Sequence, residues 1–233
     1  DVDRYVDLLY RPAADELALP FVVARWHRYV VDLNRLPEDV DEESVIGSAN
    51  PAGTFPRGLH WTLTTKGDRL LPQAISQQAH EQLVKRYFRP FHQEVERVYG
   101  DFRQKGAKKV YHLDAHSMPS KGTKAHRDPG ETRAEIVVSD VSGTSCEPWF
   151  LDLVVESYKS AGFQVAVNWP YLGGRVTQTY GHPDRGQHAI QVEMNRAIYM
   201  DEDTKQLLSS NLVPVQSKVK TAVQSIYAEI PEF

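Results

Sequence analysis

The sequence is poor in three features, each of which would point to a particular class of protein. Cys146 is its only cysteine, so no disulfide can form within the chain, and a reducing cytoplasm is the default location. No stretch approaches the roughly 18 to 20 consecutive apolar residues that a transmembrane helix needs. The formal net charge of -4 removes the electrostatic basis for nucleic-acid binding, which requires clustered Lys and Arg. We therefore predict a soluble, cytoplasmic protein that binds neither nucleic acid nor membrane.

Several signatures of well-known catalytic sites are also missing. The segment that begins at His80 lacks the second histidine of a His-Glu-x-x-His zinc site, and no Gly-x-Ser-x-Gly nucleophile turn occurs. Ser117 adjoins His116, but neighbours on an extended chain point in opposite directions and make a poor nucleophile and base. Cys146 has no histidine near it in sequence, so we predict a packed apolar thiol. The glycines of YLGGRVTQTYG match no nucleotide-binding loop, although they suit a close backbone approach.

The spacing of apolar residues predicts alternating strands and helices. The predicted strands are KKVYHLD, AEIVVSD, FQVAVN and HAIQVEMN, with two further extended stretches in LPFVVARWHRYVVDLN. The predicted helices are DVDRYVDLLY, residues 76–104, SCEPWFLDLVVESYKSAG and residues 214–230, and NPAGTFPRG is a loop. We expect Asp1 or Asp3 to cap the first helix and Pro90 to kink the second. The alternation predicts a three-layer α/β/α domain over residues 1–233, with a mixed, mainly parallel sheet and ligands at the strand ends.

Polar residues in or after the predicted strands are the candidate functional groups. His116 follows KVYHLD, where Asp114 could brace an imidazole that ligates a metal, although a histidine that satisfies a loop carbonyl is the alternative. Asn34 and Arg35 follow a buried run and suit a bound carboxylate, although a surface salt bridge would also explain them. Glu193 stands inside the apolar strand IQVEMN, where an isolated carboxylate is costly to bury. A role such as general base would explain its presence.

Six segments, taken in chain order, resemble the N-formylglutamate amidohydrolase family over nearly the whole chain. They are DVDRYVDLLY, RYVVDLNRLP, LDAHSMPS, VVSDVSGTSC, NWPYLGGRVTQTYGHP and IQVEMNRAIYMDE. That family is similar to the zinc carboxypeptidases and to the aspartoacylase and succinylglutamate desuccinylase group, which implies a phosphorylase/hydrolase-like fold. The resemblance implies zinc-dependent hydrolysis of N-formyl-L-glutamate to formate and L-glutamate.

The resemblance also implies which residues hold the metal. His116 matches the late zinc ligand of the family, with Asp114 as its brace. Asp1 or Asp3, in the acidic pair that follows the family's first ligand segment, is either another ligand or a helix cap, and Asp3 is the one we take as the candidate ligand. The family's N-terminal strand and its Pro-His-x-Gly segment, which supplies an early ligand, have no counterpart in this sequence. At least one metal ligand is therefore expected to be missing.

The remaining roles implied by the resemblance concern the substrate. Asn34 and Arg35 match the pair that grips the substrate's α-carboxylate in the related enzymes. Arg28 is similar to the arginine that polarises the scissile carbonyl, and Glu193 matches the general base.

Two other functions fit the same residues. The first keeps the hydrolysis but changes the substrate to another N-acyl amino acid, because the only candidates for contacting a glutamate side chain are Arg175 and Arg196. The second is a small-molecule-binding protein of the same fold without catalysis, which the missing ligand segment favours. A panel of N-acyl amino acids tests the first alternative, and zinc analysis tests the second. The sequence does not predict the oligomeric state.

Overall fold

The computed structural model describes residues 1–49, 55–124 and 126–231. The chain divides into two compact units, the first formed by residues 1–2 and 22–102 and the second by residues 3–21 and the chain from residue 103 onwards. The single domain expected over residues 1–233 stays a prediction. None of the helices in the described ranges is long and apolar enough to cross a bilayer.

The helices and strands alternate along much of the chain. In chain order they are α1 (Val6–Glu16), α2 (Gln77–Leu83), a π-helical turn (Val84–Phe88), α3 (Arg89–Gln104), β1 (Val110–Met118), β2 (Ile136–Ser139), α4 (Pro148–Ser160), β3 (Val165–Val167), α5 (Arg175–Tyr180), β4 (Gln187–Asn195) and α6 (Ser209–Glu229). Short 3-10 turns lie at Pro183–Arg185 and Arg196–Ile198.

The first unit contains the long helical segment predicted over residues 76–104. Ser76 caps it, since its hydroxyl accepts a hydrogen bond from the backbone N–H of Ala79. The π-helical turn ends at Phe88, two residues before Pro90, which has no N–H to donate and so cannot continue a regular helical ladder. The predicted helix is therefore confirmed, whereas the kink expected at Pro90 stays a prediction. Its apolar face packs against a small core of Val31, Val40, Val45 and Leu59 together with Val84 and Phe88.

The prediction of two extended stretches in LPFVVARWHRYVVDLN is wrong, because residues 20–36 contain no strand. The buried Asp32 makes a turn instead: its Oδ1 accepts the N–H of Asn34 at 2.9 Å, and its Oδ2 accepts the indole N–H of Trp61 at 2.8 Å. A carboxylate that bonds to its own backbone two residues further on competes with strand pairing. Of the predicted loop NPAGTFPRG, residues 50–54 lie outside the described ranges.

The second unit contains a four-stranded mixed sheet in the order β1-β4-β2-β3. β1 and β4 are parallel, β2 and β3 are parallel, and β2 and β4 are antiparallel. Ile190, Val192 and Met194 of β4 point into the main core with α1, α4 and α6, whereas α5 lies on the opposite face. The four predicted strands and the three-layer α/β fold are therefore confirmed.

Three details at the ends of these elements differ from the sequence predictions. α1 begins after Tyr5, which makes no side-chain cap, so neither Asp1 nor Asp3 caps it. The Asp1 carboxylate instead accepts the hydroxyl of Tyr29 at 2.5 Å and the backbone N–H of Thr65 at 3.0 Å. α6 begins at Ser209 rather than at residue 214. β1 continues to Met118, so His116 lies inside the strand and not beyond its end.

Candidate active site

Four polar side chains gather on one face of the sheet in the second unit. In the parallel register of β1 and β4, His116 lies opposite Glu193, and Asp114 lies opposite Gln191. Side chains alternate between the faces of a strand, so these four residues share the face that is turned away from the main core. The structure thus brings together His116 and Glu193, two residues that the sequence singled out separately.

His116 lies between two carboxylates, one at each ring nitrogen. Its Nδ1 is 3.1 Å from Asp3 Oδ2, and its Nε2 is 3.0 Å from Asp114 Oδ1. The second contact is close enough for an ion pair, although its hydrogen-bond direction is poor. Burial would lower the pKa of His116, but the carboxylates of Asp114 and Asp3 raise it well above its ordinary value. Burial would raise the pKa of Asp114, but the neighbouring His116 holds it below its ordinary value.

Asp3 is held by residues at the ends of β1 and β4. Its Oδ1 accepts the backbone N–H of Ser117 at 2.9 Å and lies 3.2 Å from the Ser117 hydroxyl. Arg196 donates from Nε to the Ser117 hydroxyl and from Nη2 to the Ser117 carbonyl, both at 3.0 Å, and its Nη2 lies 3.7 Å from Asp3 Oδ1. These contacts leave Asp3 Oδ2 directed at His116. Arg196, a candidate for reading the substrate side chain, therefore braces Asp3.

Glu193 is 7% exposed and accepts a hydrogen bond on Oε1 from Gln191 Nε2 at 2.8 Å. Gln191 Oε1 in turn accepts the backbone N–H of Gly174, the residue before α5, at 2.6 Å. Sequence reasoning passed over Gln191. The signal that could have found it is its spacing, because a Gln two residues before a Glu on an apolar strand must share the face of that Glu.

Tyr171, whose pKa responds to the charge of Glu193, and its partner Arg133 were also missed. Burial, and then the negative charge of Glu193, raise the pKa of Tyr171. The hydroxyl of Tyr171 accepts a hydrogen bond from Arg133 Nη1 at 2.9 Å. The same guanidinium donates to both carboxylate oxygens of the buried Asp128, at 2.7 and 2.8 Å. This ion pair fixes the two ends of the turn over residues 128–133.

The first unit contains the three residues expected to contact the substrate. Arg35 donates from Nε to the carbonyl of Arg57 at 2.8 Å and from Nη1 to the carbonyl of Asn34 at 2.7 Å. These bonds orient the guanidinium on the turn that Asp32 makes. The guanidinium of Arg28 lies 5.4 Å from the ring centroid of Trp61, within cation–π range. The substrate-binding roles of Asn34 and Arg35, and the polarising role of Arg28, stay predictions.

The fit of the site to zinc can be judged from its donors. A catalytic zinc site commonly uses three protein ligands. In the described part of the chain, no group of three or more His, Cys, Asp and Glu side chains could hold a metal ion. Asp3 Oδ2 and His116 Nδ1 are a close pair of suitable donors, and Asp114 braces the other nitrogen of the ring. These residues therefore fit part of a zinc site and do not complete one.

Cys146 is not a candidate nucleophile. Its side chain is buried in the main core of the second unit. Burial, and then the negative charge of Asp140, raise the pKa of its thiol to about 12, so the thiolate needed for attack is strongly disfavoured. The predicted packed thiol is confirmed.

Known proteins of one family are similar to this chain in sequence. A sequence model of the N-formylglutamate amidohydrolase family matches residues 1–200. A protein from Pseudomonas putida named N-formylglutamate deformylase is 27% identical over 234 aligned positions, which cover 98% of this chain and 82% of that protein. A protein of the same name from Pseudomonas aeruginosa is 29% identical over 210 positions, or 87% of this chain and 72% of that protein.

A solved structure is similar as well. The crystal structure of N-formylglutamate amidohydrolase from Ralstonia eutropha superimposes with a TM-score of 0.81 at 25% identity, covering 97% of this chain and 82% of that one. Sequence and fold thus agree over most of the length of both proteins. The chain belongs to the N-formylglutamate amidohydrolase family and is an amidohydrolase.

Proposed function

We propose that this protein hydrolyses N-formyl-L-glutamate to formate and L-glutamate, with zinc as its cofactor. The observation that carries the proposal is the pairing of β1 with β4, which sets Glu193 beside His116 on one face of the sheet. The names of the two Pseudomonas relatives support the choice of substrate. A buried carboxylate beside a metal-type histidine suits water-mediated cleavage of an amide.

Glu193 is the general base in this proposal. Hydrolysis joins a water oxygen to the formyl carbon and breaks the bond between that carbon and the amide nitrogen. Glu193 accepts a proton from the attacking water and returns it to the departing nitrogen, so that formate and the amine of L-glutamate result. Its burial keeps bulk water from competing for that proton.

The proposed contacts to the substrate are made by Asn34, Arg35 and Arg28. Asn34 and Arg35 bind the α-carboxylate, for which the planar fork of a guanidinium is well suited. Arg28 stabilises the negative charge that develops on the formyl oxygen. Removal of a single donor of this kind costs about 3 to 4 kcal/mol of transition-state stabilisation in well-studied enzymes.

Asp3 and His116 are the proposed zinc ligands among the described residues. Bound zinc would supply Lewis-acid activation of water and of the formyl carbonyl. Asp114 lies beside the other nitrogen of the imidazole, and Ser117 and Arg196 hold Asp3 so that a single oxygen is presented. The proposal requires at least one further ligand beyond this pair.

The direct test is release of formate from N-formyl-L-glutamate by the protein at known zinc content. We expect Glu193→Gln to lower kcat by roughly 100-fold or more at matched zinc occupancy, because it removes the base. Glu156→Gln, which changes an exposed carboxylate on α4, is the matched control and should keep wild-type turnover. Full activity of Glu193→Gln would rule out the assigned role.

A panel of N-formyl and N-acetyl amino acids tests the choice of substrate. The proposal expects N-formyl-L-glutamate to have the highest kcat/KM. A higher value for another N-acyl amino acid would change the substrate while keeping the chemistry. A folded protein that binds no zinc and cleaves no member of the panel would favour a binding protein.

A further inference from the structure

Gln191 connects the start of α5 to the proposed base. Its side-chain oxygen accepts the backbone N–H of Gly174 at 2.6 Å, and its side-chain nitrogen donates to Glu193 Oε1 at 2.8 Å. Gln191 is 3% exposed, so water is a poor substitute for either partner. A relay of two short hydrogen bonds thus runs from the backbone before α5 to the carboxylate.

The orientation of this amide is determined by its neighbours. The N–H of Gly174 can only donate, so the atom that faces it must be the side-chain oxygen of Gln191. The nitrogen is then the atom that faces Glu193. The reverse orientation would place two donors against each other at Gly174 and two acceptors against each other at Glu193. The backbone N–H of Gly174 therefore makes Gln191 a hydrogen-bond donor to Glu193.

The glycine pair in YLGGRVTQTYG accounts for the position of that N–H. Gly173 has a φ of +112°, which residues other than glycine rarely adopt, and a Cβ there would lie 2.8 Å from the side chain of Val141. The turn at Gly173 sets Gly174 against β4 and starts α5, whose Thr177 donates to Asp114 at 3.2 Å. One short helix therefore holds Gln191 and Asp114, which in turn contact Glu193 and His116.

We propose that Gln191 is a positioning residue that orients the Glu193 carboxylate for proton transfer. The inference rests on the proposed function, because it assumes that Glu193 is the base. With Oε1 held by the amide, the carboxylate cannot rotate freely about its terminal bond. Its lone pairs keep one direction while the proton moves from water to nitrogen, and such alignment contributes strongly to rates in enzyme sites.

A double-mutant cycle tests whether Gln191 acts through Glu193. The four proteins are wild type, Gln191→Met, Glu193→Gln and the double variant, all assayed for formate release at matched zinc content. We expect Gln191→Met to lower kcat at least about tenfold with KM changed less than about threefold. In the Glu193→Gln background, Gln191→Met should lower kcat less than about twofold, because the carboxylate that Gln191 positions is no longer present. Gln187→Met, at the start of the same strand, is the matched control and should leave kcat unchanged.

The outcomes separate this inference from the proposed function. If wild type releases no formate from N-formyl-L-glutamate, the proposed function is contradicted and the role of Gln191 is contradicted with it. If wild type is active and Gln191→Met loses the same factor in both backgrounds, or loses nothing, the positioning role alone is wrong. Should Gln191→Met fail to fold, the cycle is run with Gln191→Asn, which keeps a buried amide but withdraws it from Glu193 by one methylene. The same non-additive loss is then expected, and an additive one would overturn the inference.

Discussion

The two oxygens of the Asp3 carboxylate have different neighbours, and this division shows how single residues shape the site. Oδ1 faces Ser117 and Arg196, while Oδ2 faces the imidazole of His116. A carboxylate held in this way would offer a metal one oxygen rather than two, so its bonding would be directional. The sequence left helix capping open as the other role of Asp3. As a cap, the same oxygens would have accepted hydrogen bonds from the first turn of α1.

Histidines on the helix of the first unit show why residue type alone predicts burial poorly. Histidines on an amphipathic helix are commonly surface groups, but His92 is buried, stacks on Phe88 and lies 3.0 Å from the carbonyl of Leu33. His60, in the loop before the helix, is buried with its Nε2 3.0 Å from His80 Nδ1. Burial, and then the nearby His80, lower the pKa of His60 to about 4.

This low pKa predicts that the protein loses stability in mild acid. Between pH 6.5 and about pH 4 the unfolded chain takes up a proton at His60 that the folded chain refuses, so the free energy of unfolding falls as the pH falls. At 1.36 kcal/mol per unit of pKa, full protonation of His60 in the unfolded chain lowers the free energy of unfolding by up to about 3 kcal/mol. Urea unfolding at pH 7 and pH 4.5 should show a smaller difference for His60→Gln than for wild type. An equal difference in the two proteins would contradict the assignment to His60.

At the scale of elements, the candidate site depends on how β1, β4 and α5 begin and end. β1 runs past His116 to Met118, so this residue is held by strand pairing on a rigid element rather than by a loop. α5 was not predicted, because six residues after a glycine pair give too short a pattern for helical periodicity to appear. It nevertheless supplies the Gly174 and Thr177 bonds that support the polar face.

Gly173→Ala tests the contribution of this short helix. The variant combines strain at φ +112° with a methyl group 2.8 Å from Val141, so we expect a loss of at least about 2 kcal/mol in the free energy of unfolding. Turnover per folded molecule should also fall, because the Gly174 N–H would move away from Gln191. Gly106→Ala is the matched control, since Gly106 has a φ of +94° with nothing near its Cβ position. It should cost about 1 kcal/mol and leave turnover unchanged. Equal effects of the two variants on stability and turnover would show that the contact with Val141 has no part in the site.

At the scale of the whole molecule, the sequence predicted what local patterns can encode. Apolar alternation identified the four strands of the sheet, and helical spacing identified α3, α4 and α6, because each pattern lies within one element. The approach of Asp3 to His116 and the pairing of His116 with Glu193 depend on strand order and register. The periodicity of a single sequence encodes neither strand order nor register. The family resemblance therefore supplied the candidate residues, and the structure showed which of them lie together. The bend at Asp32 was missed because its side-chain bonds to Asn34 and Trp61 override the strand preference of the valines before it.

The central claim is that Asp3, His116 and Glu193 belong to one zinc-dependent hydrolytic site. Anomalous diffraction at the zinc absorption edge, from crystals of Glu193→Gln grown with zinc and N-formyl-L-glutamate, tests this claim most directly. The account predicts a zinc peak about 2.0 to 2.2 Å from both His116 Nδ1 and an oxygen of Asp3, with the formyl group of the substrate beside residue 193. A zinc peak bound by other residues, or none at these two side chains at saturating zinc, would contradict it.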